Sequence, residues 1–197
     1  PYKTAVQYDT ETGEIQKTFH FADNYTPEGE DRVCELSDFR VGDSVLFAVL
    51  YTSTGAESDV KVIVLDNSLT PQAETILFSN PSENETETYP YTTQSLFYDT
   101  NPIVIGNKLH LFYKKNEVLS ENTSTVSICH DTIDSNGTLQ NISTIPLSAA
   151  GEEASYFSPS SVYSTADGTF WMLSHGGILA AQNNSLTKLG RYHFEWE

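Results

Sequence analysis

Carboxylates at corresponding points along the chain are the residues best placed to do chemistry. Glu35 or Asp38, then Asp99, then Glu152 or Glu153 each stand close to a short apolar strand, and Asp38, Asp99 and Glu153 are the set expected to act if any set does. A pair of such groups facing each other across a glycosidic bond is the equipment for hydrolysis. One protonates the leaving oxygen while the other serves as base or nucleophile. Tyr98, Tyr156 and Phe157 lie beside those carboxylates. Their rings would either form a stacking platform for sugar faces or cap the cores of the sheets behind them. The chain holds 27 acidic residues, so a carboxylate near each strand is expected by composition alone. The pattern therefore leaves a reaction site and an acidic recognition surface both open.

Other chemistries find less support. A serine nucleophile would want a G-x-S-x-G elbow, which is absent, as are the P-loop and dinucleotide-binding patterns. The five histidines show no zinc-ligand spacing, and His110, inside an apolar strand, reads as a core or channel residue. His175-Gly176-Gly177 reads as a tight turn in which the glycines serve a hairpin. Calcium is the one ion with a candidate loop, Asp131 to Gly137, which offers hard oxygen ligands. That loop lacks the EF-hand spacing and the closing Glu, so a solvated turn is the expectation and no cofactor is assigned.

The elements that must position these groups are repeated. Gly42-Asp43-Ser44-Val45-Leu46-Phe47, Gly106-Asn107-Lys108-Leu109-His110-Leu111 and Asp167-Gly168-Thr169-Phe170-Trp171-Met172 each set a turn pair directly before an apolar strand. Asp43, Asn107 and Asp167 recur at intervals of 64 and 60 residues, the signature of a repeat architecture. Sustained helical periodicity is missing, and short β-rich runs bounded by Gly, Asn, Asp and Ser predict an all-β fold. Hairpins are expected at Asp9 to Gly13, at Asp66-Asn67-Ser68, at Asp134 to Gly137 and at Asn183-Asn184-Ser185. The polar stretch after Tyr113 is expected to be a mobile loop between two strands of its unit.

Four antiparallel strands per unit match a β-propeller blade, whose second strand must be apolar on both faces, as Val45 to Leu50, Leu109 to Tyr113 and Phe170 to Leu173 are. The units run approximately over 1–32, 33–92, 93–152 and 153–197, giving three full four-stranded units plus two strands of a fourth. A pair of β-sandwiches is the alternative. Three units are too few to close a ring of four to eight blades. The expectation is a propeller-like domain completed by the remainder of a longer chain or by self-association, because open sheet edges invite aggregation.

Asn101-Pro102-Ile103-Val104-Ile105-Gly106-Asn107-Lys108-Leu109-His110-Leu111-Phe112-Tyr113 resembles the strand-turn-strand units of sialidase-type and five-bladed glycosidase-type propellers. Similar units in those families begin with a polar residue at the funnel mouth, which makes Asn101 a candidate binding residue beside Tyr98, Tyr156 and Phe157. Ser164-Thr165-Ala166-Asp167-Gly168-Thr169-Phe170-Trp171 is similar to the sialidase Asp-box, but its Asp stands one place late, and an Asp-Gly hairpin accounts for it better. Sialidases use an arginine trio, and the chain contains only Arg32, Arg40 and Arg191. A negatively charged protein would also repel a negatively charged sugar.

The formal charge of −17 makes nucleic acid and anionic membrane surfaces poor partners. No twenty-residue apolar run and no basic leader pattern occurs, so membrane insertion is not expected, and the first residue, Pro1, is read as the start of a mature or excised segment. Cys34 and Cys129 are either a disulfide or two separate buried thiols. N-x-[ST] sequons at Asn24, Asn84, Asn122, Asn136, Asn141 and Asn183, with few basic residues and one Met, fit an extracellular or cell-surface glycoprotein. The expected function is a non-catalytic recognition or structural module of a larger secreted protein, engaging a glycan or protein partner. A glycoside hydrolase-like propeller is the alternative.

Overall fold

Runs such as Val45-Leu46-Phe47-Ala48-Val49-Leu50 and Val60-Lys61-Val62-Ile63-Val64-Leu65 are β-branched and aromatic, too short and too well bounded by turn residues for helices, and they pair as antiparallel ladders. The computed structural model describes residues 4–28, 32–54, 57–80, 91–94, 102–120, 122–146, 161–165, 170–174, 177–181 and 190–192. The fold is all-β, with open antiparallel sheets and a five-residue helix, α1 (Phe21–Tyr25). Among the described residues the sheets do not close into a barrel or ring.

The first sheet is the hairpin β1 (Thr4–Tyr8) and β2 (Ile15–His20). The second is a four-stranded meander in sequence order: β3 (Val33–Val41), β4 (Val45–Ser53), β5 (Ser58–Asp66) and β6 (Pro71–Asn80). The third runs β11-β10-β9-β7, from β7 (Tyr91–Gln94), β9 (Lys108–Ser120), β10 (Thr123–Ile133) and β11 (Leu139–Pro146), with β8 (Ile103–Ile105) also paired to β9. The fourth is another meander: β12 (Ser161–Ser164), β13 (Phe170–Ser174), β14 (Gly177–Ala181) and β15 (Gly190–Tyr192).

The polar stretch after Tyr113 is not a loop. Lys114 to Ser120 continues β9, and β10 begins at Thr123. Ladder hydrogen bonding overrides polarity here, with Lys115 to Val118 paired to Gln94 to Tyr91 of β7 and most of these side chains half-buried. In β3, Ser37 and Asp38 interrupt the alternation without ending the strand.

Two compact units divide the chain. The first comprises Pro1–Thr86, Val104–Leu109 and Ile133–Leu139, and the second Glu87–Ile103, His110–Thr132 and Gln140–Glu197. In the first, alternation along β4 and β5 sends Leu46, Ala48, Leu50, Ile63 and Leu65 to one face, where they pack with Ala5, Phe21 and Leu69 and with the half-buried Phe19, Tyr25, Leu36 and Phe39. Phe47, Val62 and Val64 leave on the opposite face and are equally inaccessible to water. β4 is thus buried on both sides, at roughly 1.5–3 kcal/mol of stabilisation for each large apolar side chain.

Corresponding turns of two repeats meet within this unit. The Asp43 N–H donates to the Gly106 carbonyl (3.1 Å) and the Ser44 N–H to the Asn107 Oδ1 (2.7 Å). A Cβ on Gly42 would lie 2.7 Å from the Gly106 oxygen, so only glycine permits this approach. The turn pair Asp167-Gly168 of the third repeat lies outside the described residues.

Candidate functional site

A cavity of about 590 Å³ opens in the first unit between β1, β3 and the β5–β6 turn. Its lining alternates polar groups (Thr4, Gln7, Ser37, Asp38, Asn67) with apolar ones (Ala5, Val6, Leu36, Phe39, Val41, Leu46, Leu69). The local cause is a bulge in β3. Leu36 pairs with Leu50 and Asp38 with Val49, leaving Ser37 as the extra residue. Bulges bend a strand and re-aim its side chains, and here Ser37, Asp38 and Phe39 all line the cavity. The Ser37 hydroxyl anchors the bulge by donating to the Val49 carbonyl (3.0 Å).

Asp38 is the charged group of this cleft. Its Oδ1 accepts from the Phe39 N–H (2.7 Å), and its Oδ2 is paired with the Arg40 guanidinium (2.9 Å). Burial raises the carboxyl's proton affinity above the ordinary aspartate value, while Arg40 and the Phe39 N–H pull it down. The i, i+2 spacing of Asp38 and Arg40 along a strand places both on one face, which is why they meet.

The floor of the cleft includes a conformational outlier. Leu69 adopts φ 55 in the left-handed region, yet it is almost completely buried. Its turn matches the β10–β11 turn bond for bond. Asp66 Oδ1 accepts from the Ser68 and Thr70 N–H groups as Asp134 Oδ1 does from Asn136 and Thr138, and the Leu69 N–H donates to the Asp66 carbonyl as that of Gly137 does to Asp134. Gly137 fills the corresponding position with φ 78. A bulky side chain in this region costs of order 1–3 kcal/mol, so Leu69 is held there by its surroundings.

The second unit buries a polar cluster of a different kind. Alternation along β9 and β10 puts His110, Phe112 and His130 on one face and Tyr113, Cys129 and Asp131 on the other. His110 Nδ1 and His130 Nε2 are 3.1 Å apart, and the His130 ring stacks on Phe112 with centroids 4.3 Å apart. Burial, with His110 adding to it, pushes the His130 pKa down to about 3, so His130 is neutral at physiological pH, and the hydrogen bond needs one of the two facing ring nitrogens to be an unprotonated acceptor. Across the sheet, Tyr113 donates its hydroxyl to Asp131 Oδ2 and Asn141 its amide to Oδ1, each at 2.6 Å. Burial and the Asp131 carboxylate raise the Tyr113 hydroxyl's pKa well above the usual range, and burial pushes the Cys129 thiol up. Their polar atoms engage one another, His110 with His130, and Tyr113 and Asn141 with Asp131. The apolar appearance of β9 concealed the network, and only strand parity applied to His110, Phe112 and Tyr113 could have exposed it.

Of the residues singled out as catalytic, Asp38 lies in the cleft, while Asp99 and Glu153 fall outside the described residues, as do Tyr98, Asn101, Tyr156 and Phe157. Convergence of the three carboxylates is thus not part of the described geometry. In the calcium-candidate loop, Asp131 is committed to Tyr113 and Asn141, and Asp134 Oδ1 to its own turn. Among the described residues no group of three or more His, Cys, Asp or Glu side chains is arranged to hold a metal ion. Cys34 and Cys129 are separate buried thiols. Among the described sequons, Asn24, Asn122, Asn136 and Asn141 are all exposed, Asn122 and Asn136 in turns, and the Asn24 amide donates to the His20 carbonyl and the Asn141 amide to Asp131. Among the described residues no helix is long and apolar enough to cross a membrane. Comparison of the chain with protein-family models, with curated proteins and with solved structures finds no match.

Proposed function

We propose that the chain is a non-catalytic recognition module of a larger extracellular or cell-surface protein, in which the sheets act as blades of a propeller-like array and the cleft beside β3 receives a glycan or protein partner. The blade reading is supported by the hydrogen bonds joining the Gly42-Asp43-Ser44 turn to the Gly106-Asn107 turn, which occupy the same place in two successive repeats. The extracellular placement draws on composition and on the sequons.

One observation carries the functional reading. Both oxygens of Asp38 are engaged, one by Arg40 and one by the Phe39 N–H, inside a cavity of mixed polarity. A carboxylate so committed orients ligand hydroxyls or amides well and serves poorly as a nucleophile. The glycoside hydrolase alternative draws on the raised proton affinity of that same group, a property of catalytic carboxyls in clefts. The immobilised chain should retain glycans or surface proteins while releasing no nitrophenol from aryl glycosides. Turnover abolished by Asp38→Asn would overturn the non-catalytic reading.

A further inference from the structure

We infer that the cleft of the first unit takes an uncharged, hydroxyl-rich ligand, a short neutral saccharide, held between a polar wall of Gln7, Ser37, Asp38 and Asn67 and an apolar floor that includes Phe39 and Leu69. This rests on the recognition reading and narrows it to one site and one ligand class.

Charge disfavours the ionic alternatives. Among the described residues no Lys, Arg or His lines the cavity, Arg40 is already paired with the lining Asp38, and the protein's formal charge is −17, so the field opposes entry of an anion. Among the described residues Asp38 is the one lining carboxylate, and Arg40 at 2.9 Å pairs with it, which leaves little net field there to hold an ammonium group. A wholly apolar ligand fails for a different reason. It would strip water from Gln7, Ser37, Asp38 and Asn67 without replacing their hydrogen bonds.

A sugar satisfies both walls, because its hydroxyls donate to the carboxylate and exchange with amides and hydroxyls while its C–H face lies on apolar side chains. The volume of about 590 Å³ sits inside the range of roughly 300–1,000 Å³ typical of small-molecule sites. The sister turn fills its left-handed position with Gly137, whereas this turn accepts backbone strain to bury a leucine in the core that borders the cleft.

The test uses the full chain on an array of neutral di- to tetrasaccharides printed beside sialylated and sulfated ones, followed by calorimetric titration of a retained neutral sugar. Asn67→Ala and Gln7→Ala alter exposed or half-buried positions and should each weaken binding by about tenfold. Leu69→Gly tests the floor, and denaturation midpoints report whether each variant remains folded. Neutral binding reduced by Asn67→Ala and Gln7→Ala supports the inference. Neutral binding that these variants leave intact, or retention of acidic sugars or proteins alone, overturns the inference while sparing the recognition reading. Retention of nothing removes both.

Discussion

Acid should weaken this protein through His130 before its carboxylates titrate. The imidazole is inaccessible to water, stacked on Phe112 and 3.1 Å from His110, and its pKa falls from 6.5 to about 3 on folding. The native state therefore resists a proton that the unfolded chain accepts, and the unfolded state binds more protons at every pH between those values. Stability is complete above 6.5 and is lost as pH falls toward 3, at up to about 1.4 kcal/mol per unit. At pH 5 the loss reaches about 2 kcal/mol, a large part of a typical domain's margin. Asp38 acts with the opposite sign, because its native carboxyl holds a proton more tightly than the unfolded one; its contribution is full below 3.8 and fades as pH rises. Urea denaturation at pH 7.5, 6.5, 5.5 and 5.0 would read the slope in a window where ordinary carboxylates stay ionised. His130→Gln should flatten that slope whatever its effect on stability at pH 7.5. An unchanged slope in the variant would refute the assignment.

Gly42→Ala should destabilise by about 2–4 kcal/mol in the same assay, since its Cβ would meet the Gly106 carbonyl oxygen at 2.7 Å and displace the Asp43 and Ser44 hydrogen bonds across the turns. Gly137→Ala should cost a similar amount, about 2–4 kcal/mol, by combining a left-handed φ of 78 with a Cβ placed 2.7 Å from that of Ala73. Leu69→Gly should destabilise less, by about 1–2 kcal/mol, because relief of backbone strain offsets part of the lost burial, and equal losses at positions 69 and 137 would contradict the strain argument. Phe47→Ala, at a position in β4 without solvent exposure, should cost about 3–5 kcal/mol, read from denaturation midpoints.

Local chemistry alone determined much of the secondary structure. The Asp66 and Asp134 turns were legible because an Asp side chain can bond to the N–H groups two and four residues on, and both turns form as expected. The doubly apolar β4 was legible because a strand buried on both faces has no polar alternation to keep. Polarity misled at Lys114 to Ser120, where hydrogen bonding to β7 and β10 makes a strand from residues typical of loops. Asp38 was identifiable as a carboxylate near a strand, but its partners were not all visible from its position. The bulge at Ser37 depends on register with Val49, and the cleft depends on β1 and the turn at Leu69 meeting β3 across long sequence separations. Composition and periodicity report what each segment prefers by itself. Which side chains share a cavity, which imidazole loses its proton and which turns touch depend on contacts between segments, and only the tertiary structure decides those.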